Sequence, residues 1–100
     1  MTHKVIILPS AENDLRSIGI RLDEYSLTAF DRLMQEIEKR FLTLSQFPEI
    51  GRSCEAFSQG LRVIFVKDHA LFYRFTPSTV EIVRIVDGRR DLSTLWDEPS

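Results

Sequence analysis

The apolar positions change period partway along the chain, from helical spacing before residue 47 to strand-like runs after residue 60. Ala11, Leu15, Ile18, Leu22 and Tyr25 recur at steps of four, three, four and three. That spacing puts them on one face of a helix, which turns once every 3.6 residues or about that. Ser10 stands where a helix N-cap belongs, and Gly19 beside the stripe would let a neighbouring backbone come close. Ser26 is a second cap candidate, followed by a stripe of Phe30, Leu33, Ile37, Phe41 and Leu44 that Met34 and Leu42 widen. Phe47-Pro48 ends it, because the residue before a proline is pushed out of the helical region. The connection between the helices is very short, which implies an antiparallel hairpin.

Ahead of the helices, residues 4–8 are an apolar run stopped by Pro9 and read as a buried strand. Residues 48–60 have no period and read as a loop. Residues 61–67, 70–75 and 79–86 are rich in β-branched and aromatic side chains, as strands are. Lys67-Asp68-His69 and Thr76-Pro77-Ser78 between them are short enough for consecutive hairpins. Leu92, Leu95 and Trp96 suggest a last helical turn or two. The expected fold class is α+β: a helical hairpin packed on one face of a mainly antiparallel four-stranded sheet, in the order β-α-α-β-β-β with a short C-terminal helix. The partner of the first strand is left open by the pattern.

With 100 residues and 43% hydrophobic positions, the chain has the material for one modest core, and residues 1–100 read as a single domain. No apolar run reaches bilayer length, and the lone Cys54 has no partner for an internal disulfide. A cytoplasmic protein is expected, with no membrane association. The formal net charge of −2 argues against direct nucleic-acid binding through many phosphates. Bases outnumber acids only toward the C-terminal half, through Arg62, Lys67, Arg74, Arg84, Arg89 and Arg90. His3, His69 and Cys54 make no zinc spacing, and no glycine-rich phosphate loop or nucleophile motif occurs, so no metal or cofactor is expected.

Candidate chemistry concentrates in Val80-Glu81-Ile82-Val83-Arg84-Ile85-Val86-Asp87-Gly88-Arg89-Arg90-Asp91-Leu92. A strand ending in a glycine and two arginines places guanidinium groups on a rigid edge, suited to gripping carboxylates or phosphates. Simple alternation puts Arg84 on the face opposite Val83 and Ile85, either paired with an acid such as Glu81 or facing a partner. Arg89 and Arg90 are either solvated turn residues or partner contacts. Tyr73 and Phe75 read as core or half-buried residues, His69 as an exposed turn residue, Trp96 as a lid on the core, and Cys54 as an inert thiol.

This run resembles the C-terminal part of ParE-type toxins, within the RelE/ParE superfamily of toxin–antitoxin proteins. The likeness extends over about residues 4–92. Leu8-Pro9-Ser10-Ala11-Glu12-Asn13-Asp14-Leu15 is similar to the family's opening strand, cap and Asp-Leu pair. Phe47-Pro48-Glu49-Ile50-Gly51-Arg52 resembles its Pro-x-x-Gly-Arg loop, Gly60-Leu61-Arg62 the start of its second strand, and residues 69–74 its Tyr-Arg strand. The resemblance implies a toxin neutralised by a cognate, ParD-like antitoxin in a hetero-oligomer, with DNA gyrase as target. The RelE branch instead cuts messenger RNA on the ribosome, and a non-toxic antitoxin-binding module is a third possibility on the same scaffold.

Cutting RNA needs a base, an acid and cations for the developing phosphate charge. By resemblance, Arg90 matches the nucleases' arginine, Trp96 falls where they have a tyrosine, and the 49–60 loop offers Arg52 but no lysine. That favours the non-enzymatic reading. No catalytic residue is assigned. Phe30 and Met34 on the broad second stripe, with Arg62, Arg84, Arg89 and Arg90, are the expected contacts to antitoxin or target, the helices supplying an apolar groove.

Overall fold

The computed structural model describes residues 2–23 and 27–88, with side chains for all of these except 21–23 and 27. The elements run β1 (Lys4–Ile7), α1 (Pro9–Asp23), α2 (Leu27–Gln46), one 3₁₀ turn (Pro48–Ile50), β2 (Arg52–Ser53), β3 (Arg62–Val66), β4 (His69–Phe75) and β5 (Thr79–Asp87). Both expected helices and all four expected strands are present. Among the described residues the strands nonetheless number five, because Arg52 and Ser53, in what reads as loop, pair with Val63 and Arg62. The expected C-terminal helix, with Trp96, lies outside the described residues.

The strand order is β1-β5-β4-β3-β2. β1 runs parallel to β5, in register from Lys4 with Thr79 to Ile7 with Ile82, while the remaining pairs are antiparallel. β1 is therefore an edge strand. Lys4 and Ile7 are exposed, so the strand is half-covered rather than buried as its apolar run suggests.

The two sheet faces carry separate apolar clusters. Leu71, Tyr73, Val80, Ile82 and Ile85 face the helices and meet Ala11 and Ile18 of α1 and Leu33, Ile37 and Leu44 of α2. Those helix residues are the stripes seen in the sequence, and the hydrophobic gain of covering them holds the hairpin on the sheet. On the opposite face Val63, Ala70, Phe72, Val83 and Val86 are buried, with Leu8, Cys54 and Phe57 packed against them. Burial is also what pushes the Cys54 thiol up from its ordinary pKa, against the opposing pull of Arg52. That is the setting of an unreactive cysteine.

A bulge in β5 breaks the simple alternation. Phe72 pairs with Arg84 but Tyr73 pairs with Ile82, leaving Val83 as the extra residue. Val83 and Ile85 consequently lie in different clusters and not on a shared face. Arg84 is released from both and meets α1.

The start of α1 also differs from expectation. The helix begins at Pro9, which suits a first-turn position because it has no N–H to satisfy. Ser10 is inside the helix and caps nothing: its hydroxyl donates to the Val83 carbonyl at 2.6 Å. With the Leu8 N–H donating to the Ile82 carbonyl at 3.0 Å, it serves the part of β5 that β1 leaves open. His69 is not a turn residue either. It is the half-buried first residue of β4, opposite Val66 and Asp87.

Candidate partner-binding site

α1 and α2 leave an open groove of about 450 Å³ between them. Leu15, Gly19 and Ile20 form one wall; Phe30 and Met34 form the other. Gly19 decides its shape. A Cβ there would sit 3.2 Å from two carbons of the Phe30 ring, so the close neighbour that this glycine admits is a side chain and not a backbone. Ile20 is 68% exposed, the most exposed large apolar residue of the described chain. Glu12 and Arg16 pair loosely along the rim at 3.7 Å, both well exposed, and add little. An open apolar trough with a polar edge is the shape that receives an amphipathic helix or an extended apolar tail.

Two of the sequence candidates, Phe30 and Met34, line this groove. Leu42 is also exposed but does not line the groove. Ile20 is absent from the sequence expectation because it stands off the α1 stripe. The available signal was that very misplacement: a large apolar residue two positions after Ile18 has no core to enter.

The candidate arginines are not brought together. β4 separates β3, which carries Arg62, from β5, which carries Arg84. Arg84 donates through Nε and Nη2 to the two carboxylate oxygens of Asp14, at 2.8 and 3.0 Å. One of those oxygens also accepts the Ile85 N–H at 2.9 Å. Arg84 is thus committed to a two-pronged pair that locks α1 onto β5, a geometry that arginine's planar fork favours. The Asp-Leu and Ile-Val-Arg-Ile motifs, seventy residues apart, are the two halves of one fastening.

Arg62 is likewise engaged within the fold. Its Nη1 donates to the carbonyls of Glu49 and Gly51, at 3.1 and 2.8 Å, and its guanidinium lies 5.7 Å from the centre of the Phe75 ring. The Tyr73 hydroxyl works on the same segment, accepting from the Gly51 N–H at 2.8 Å and donating to the Pro48 carbonyl at 2.7 Å. Burial pushes this phenol above its ordinary pKa, although the Gly51 hydrogen bond and Arg62 both pull the other way. Arg74 fixes the rest of the connection through the Gln59 carbonyl and the Ser58 hydroxyl. The Pro-x-x-Gly-Arg and Tyr-Arg motifs are a loop and the clamps that hold it. Arg89 and Arg90 lie outside the described residues.

Among the described residues, no group of three or more His, Cys, Asp or Glu side chains is placed to hold a metal. No described helix is long and apolar enough to cross a membrane. The groove offers apolar contact area, and Arg62, Arg74 and Arg84 are engaged within the fold.

The family model of the ParE toxin of the type II toxin–antitoxin system parDE matches residues 5–92, and the chain belongs to that family. Toxin ParE3 of Caulobacter vibrioides is 40% identical over 60 residues, which is 60% of this chain and 60% of that protein. The fold is shared with a chain of the chromosomal ParDE system from P. aeruginosa, at TM-score 0.70 and 17% identity, over 86% of this chain and 96% of that one. It is shared also with a chain of the RelBE2 toxin–antitoxin complex of Mycobacterium tuberculosis, at TM-score 0.64 and 20% identity, over 87% and 99%.

Proposed function

We propose that this chain is the toxin of a toxin–antitoxin pair, that it poisons DNA gyrase by protein–protein contact, and that a cognate antitoxin silences it by filling the α1–α2 groove. The match of the family model across residues 5–92 carries the reading. The site chemistry supports it in a second way. Arg62, Arg74 and Arg84 are bound to backbone and side-chain oxygens of the fold, which leaves them poorly placed to neutralise a nucleic-acid backbone or a phosphorane-like transition state. An exposed apolar trough is instead what a folding antitoxin tail needs, because burying it offsets the cost of ordering that tail.

Induced alone, the chain is expected to stop growth with filamentation and a DNA-damage response, and the antitoxin of the neighbouring reading frame should restore growth. Ile20→Asp separates the two surfaces. The side chain is exposed, so the fold survives, but a charge in the trough must be desolvated when the antitoxin docks. The variant should arrest growth as before and escape rescue, with antitoxin affinity down by about 100-fold or more, roughly 3 kcal/mol. Full rescue of Ile20→Asp would move the antitoxin elsewhere.

A further inference from the structure

Gly19 is a glycine that the backbone of α1 does not require. It lies inside a fifteen-residue helix, and among the described glycines the positive φ belongs to Gly60. Glycine within a helix is destabilising relative to alanine, because it loses more freedom on folding and has no side chain to pack. The helix bears that cost at residue 19, and nothing in its own geometry accounts for it.

Packing accounts for it only in part. The three atoms nearest to a Cβ at this position are all carbons of the Phe30 ring, at 3.2, 3.2 and 3.8 Å. No backbone is among them, so alanine asks only that the ring shift by a few tenths of an ångström. The direction of that shift is what matters. Phe30 is packed against the core shared by the helices and the sheet, and such interiors leave no room for a ring to move inward. Its open side is the α1–α2 groove, which Gly19 and Phe30 line together. A methyl group at residue 19 therefore lifts the ring into the space that a partner would enter.

We propose that Gly19 is a recognition residue, serving the partner and not the fold: it lets the Phe30 ring sit low enough for a large apolar side chain of the antitoxin tail to seat on it. This inference rests on the reading of the groove as the antitoxin's site. Leu15 and Ile20 flank the seat on one side and Met34 on the other. A leucine, a methionine or an aromatic ring fits such a surface. A polar side chain would be desolvated there without a hydrogen-bond partner, and a short one would leave the contact unfilled.

The test measures affinity for the purified antitoxin of the neighbouring reading frame, by calorimetry on the full chain, and thermal unfolding of the chain alone. Gly19→Ala is expected to weaken binding by about tenfold or more, while its melting midpoint stays at or above that of the parent chain. With the ring removed by Phe30→Leu, the same alanine has nothing to lift and should change affinity by less than about twofold. Ile20→Asp, run alongside, reports whether the antitoxin uses the groove at all. Parent-like binding by Gly19→Ala while Ile20→Asp loses binding would overturn the role of Gly19 and leave the groove standing. A fall in the melting midpoint of Gly19→Ala, or an equal loss of affinity with and without the ring, would make the glycine a structural one and overturn it too. Parent-like binding by Ile20→Asp would remove the antitoxin from the groove, and this inference with it.

Discussion

Gly51→Ala should destabilise the protein by about 2–6 kcal/mol. Gly51 has φ −72° and ψ 151°, a conformation open to any residue, so the glycine is required for space and not for backbone freedom. A Cβ there would overlap the Tyr73 hydroxyl and lie 2.7 and 2.9 Å from two ring carbons. Tyr73 is fully buried among the largest core side chains and has nowhere to go. Overpacking of this kind costs about 1–3 kcal/mol. Parting the Gly51 N–H and the Pro48 carbonyl from the hydroxyl leaves buried polar groups unpaired, at about 1–3 kcal/mol more. Against a total stability of about 5–15 kcal/mol, the loss shows as a large fall in the urea midpoint. A change within about 0.5 kcal/mol, the ordinary range of a surface substitution, would mean that the 48–51 segment is not seated on Tyr73.

The second large effect is expected at Asp14. Asp14→Ala removes three charge-assisted hydrogen bonds and leaves the Arg84 guanidinium and the Ile85 N–H without them. Breaking a buried pair from one side costs about 3–5 kcal/mol. Here the Asp14 side chain is 14% exposed and that of Arg84 27%, so part of the charge stays hydrated and about 2–4 kcal/mol is expected by denaturant unfolding. With Asp14 intact, Arg84→Lys should lose much of the same stability, since an ammonium cannot form the two-pronged pair. A loss below about 1 kcal/mol would make the pair an ordinary surface contact, and Arg84 would return to the set of partner-facing residues.

These fastenings mark the boundary of what the sequence discloses. The helices were legible because Ala11, Leu15 and Ile18, and then Leu33, Ile37 and Leu44, repeat at helical spacing, all of them buried except Leu15, which is half-buried against the same core. The hairpin strands were legible because β-branched and aromatic runs are cut by two short turns. The pairing of β1 with β5 was not legible, since period identifies a strand and says nothing of its neighbour. β2 is two exposed polar residues and carries no pattern at all. The bulge at Val83 defeated alternation, and with it the placing of Arg84. Charge was the least transparent signal: an arginine's partner lies wherever the chain returns, thirteen residues away for Arg62 and seventy for Arg84.

The core claim, a gyrase poison that works by contact, is tested most directly with purified protein in two reactions run side by side. One is supercoiling of relaxed plasmid by gyrase and ATP; the other is translation of a reporter message by a purified ribosomal system. Added at molar excess, the chain should stop supercoiling while the message stays intact and is translated, and prior addition of the antitoxin should restore gyrase. Undisturbed supercoiling together with a message cut on the ribosome would contradict the account and make the chain a ribosome-dependent nuclease.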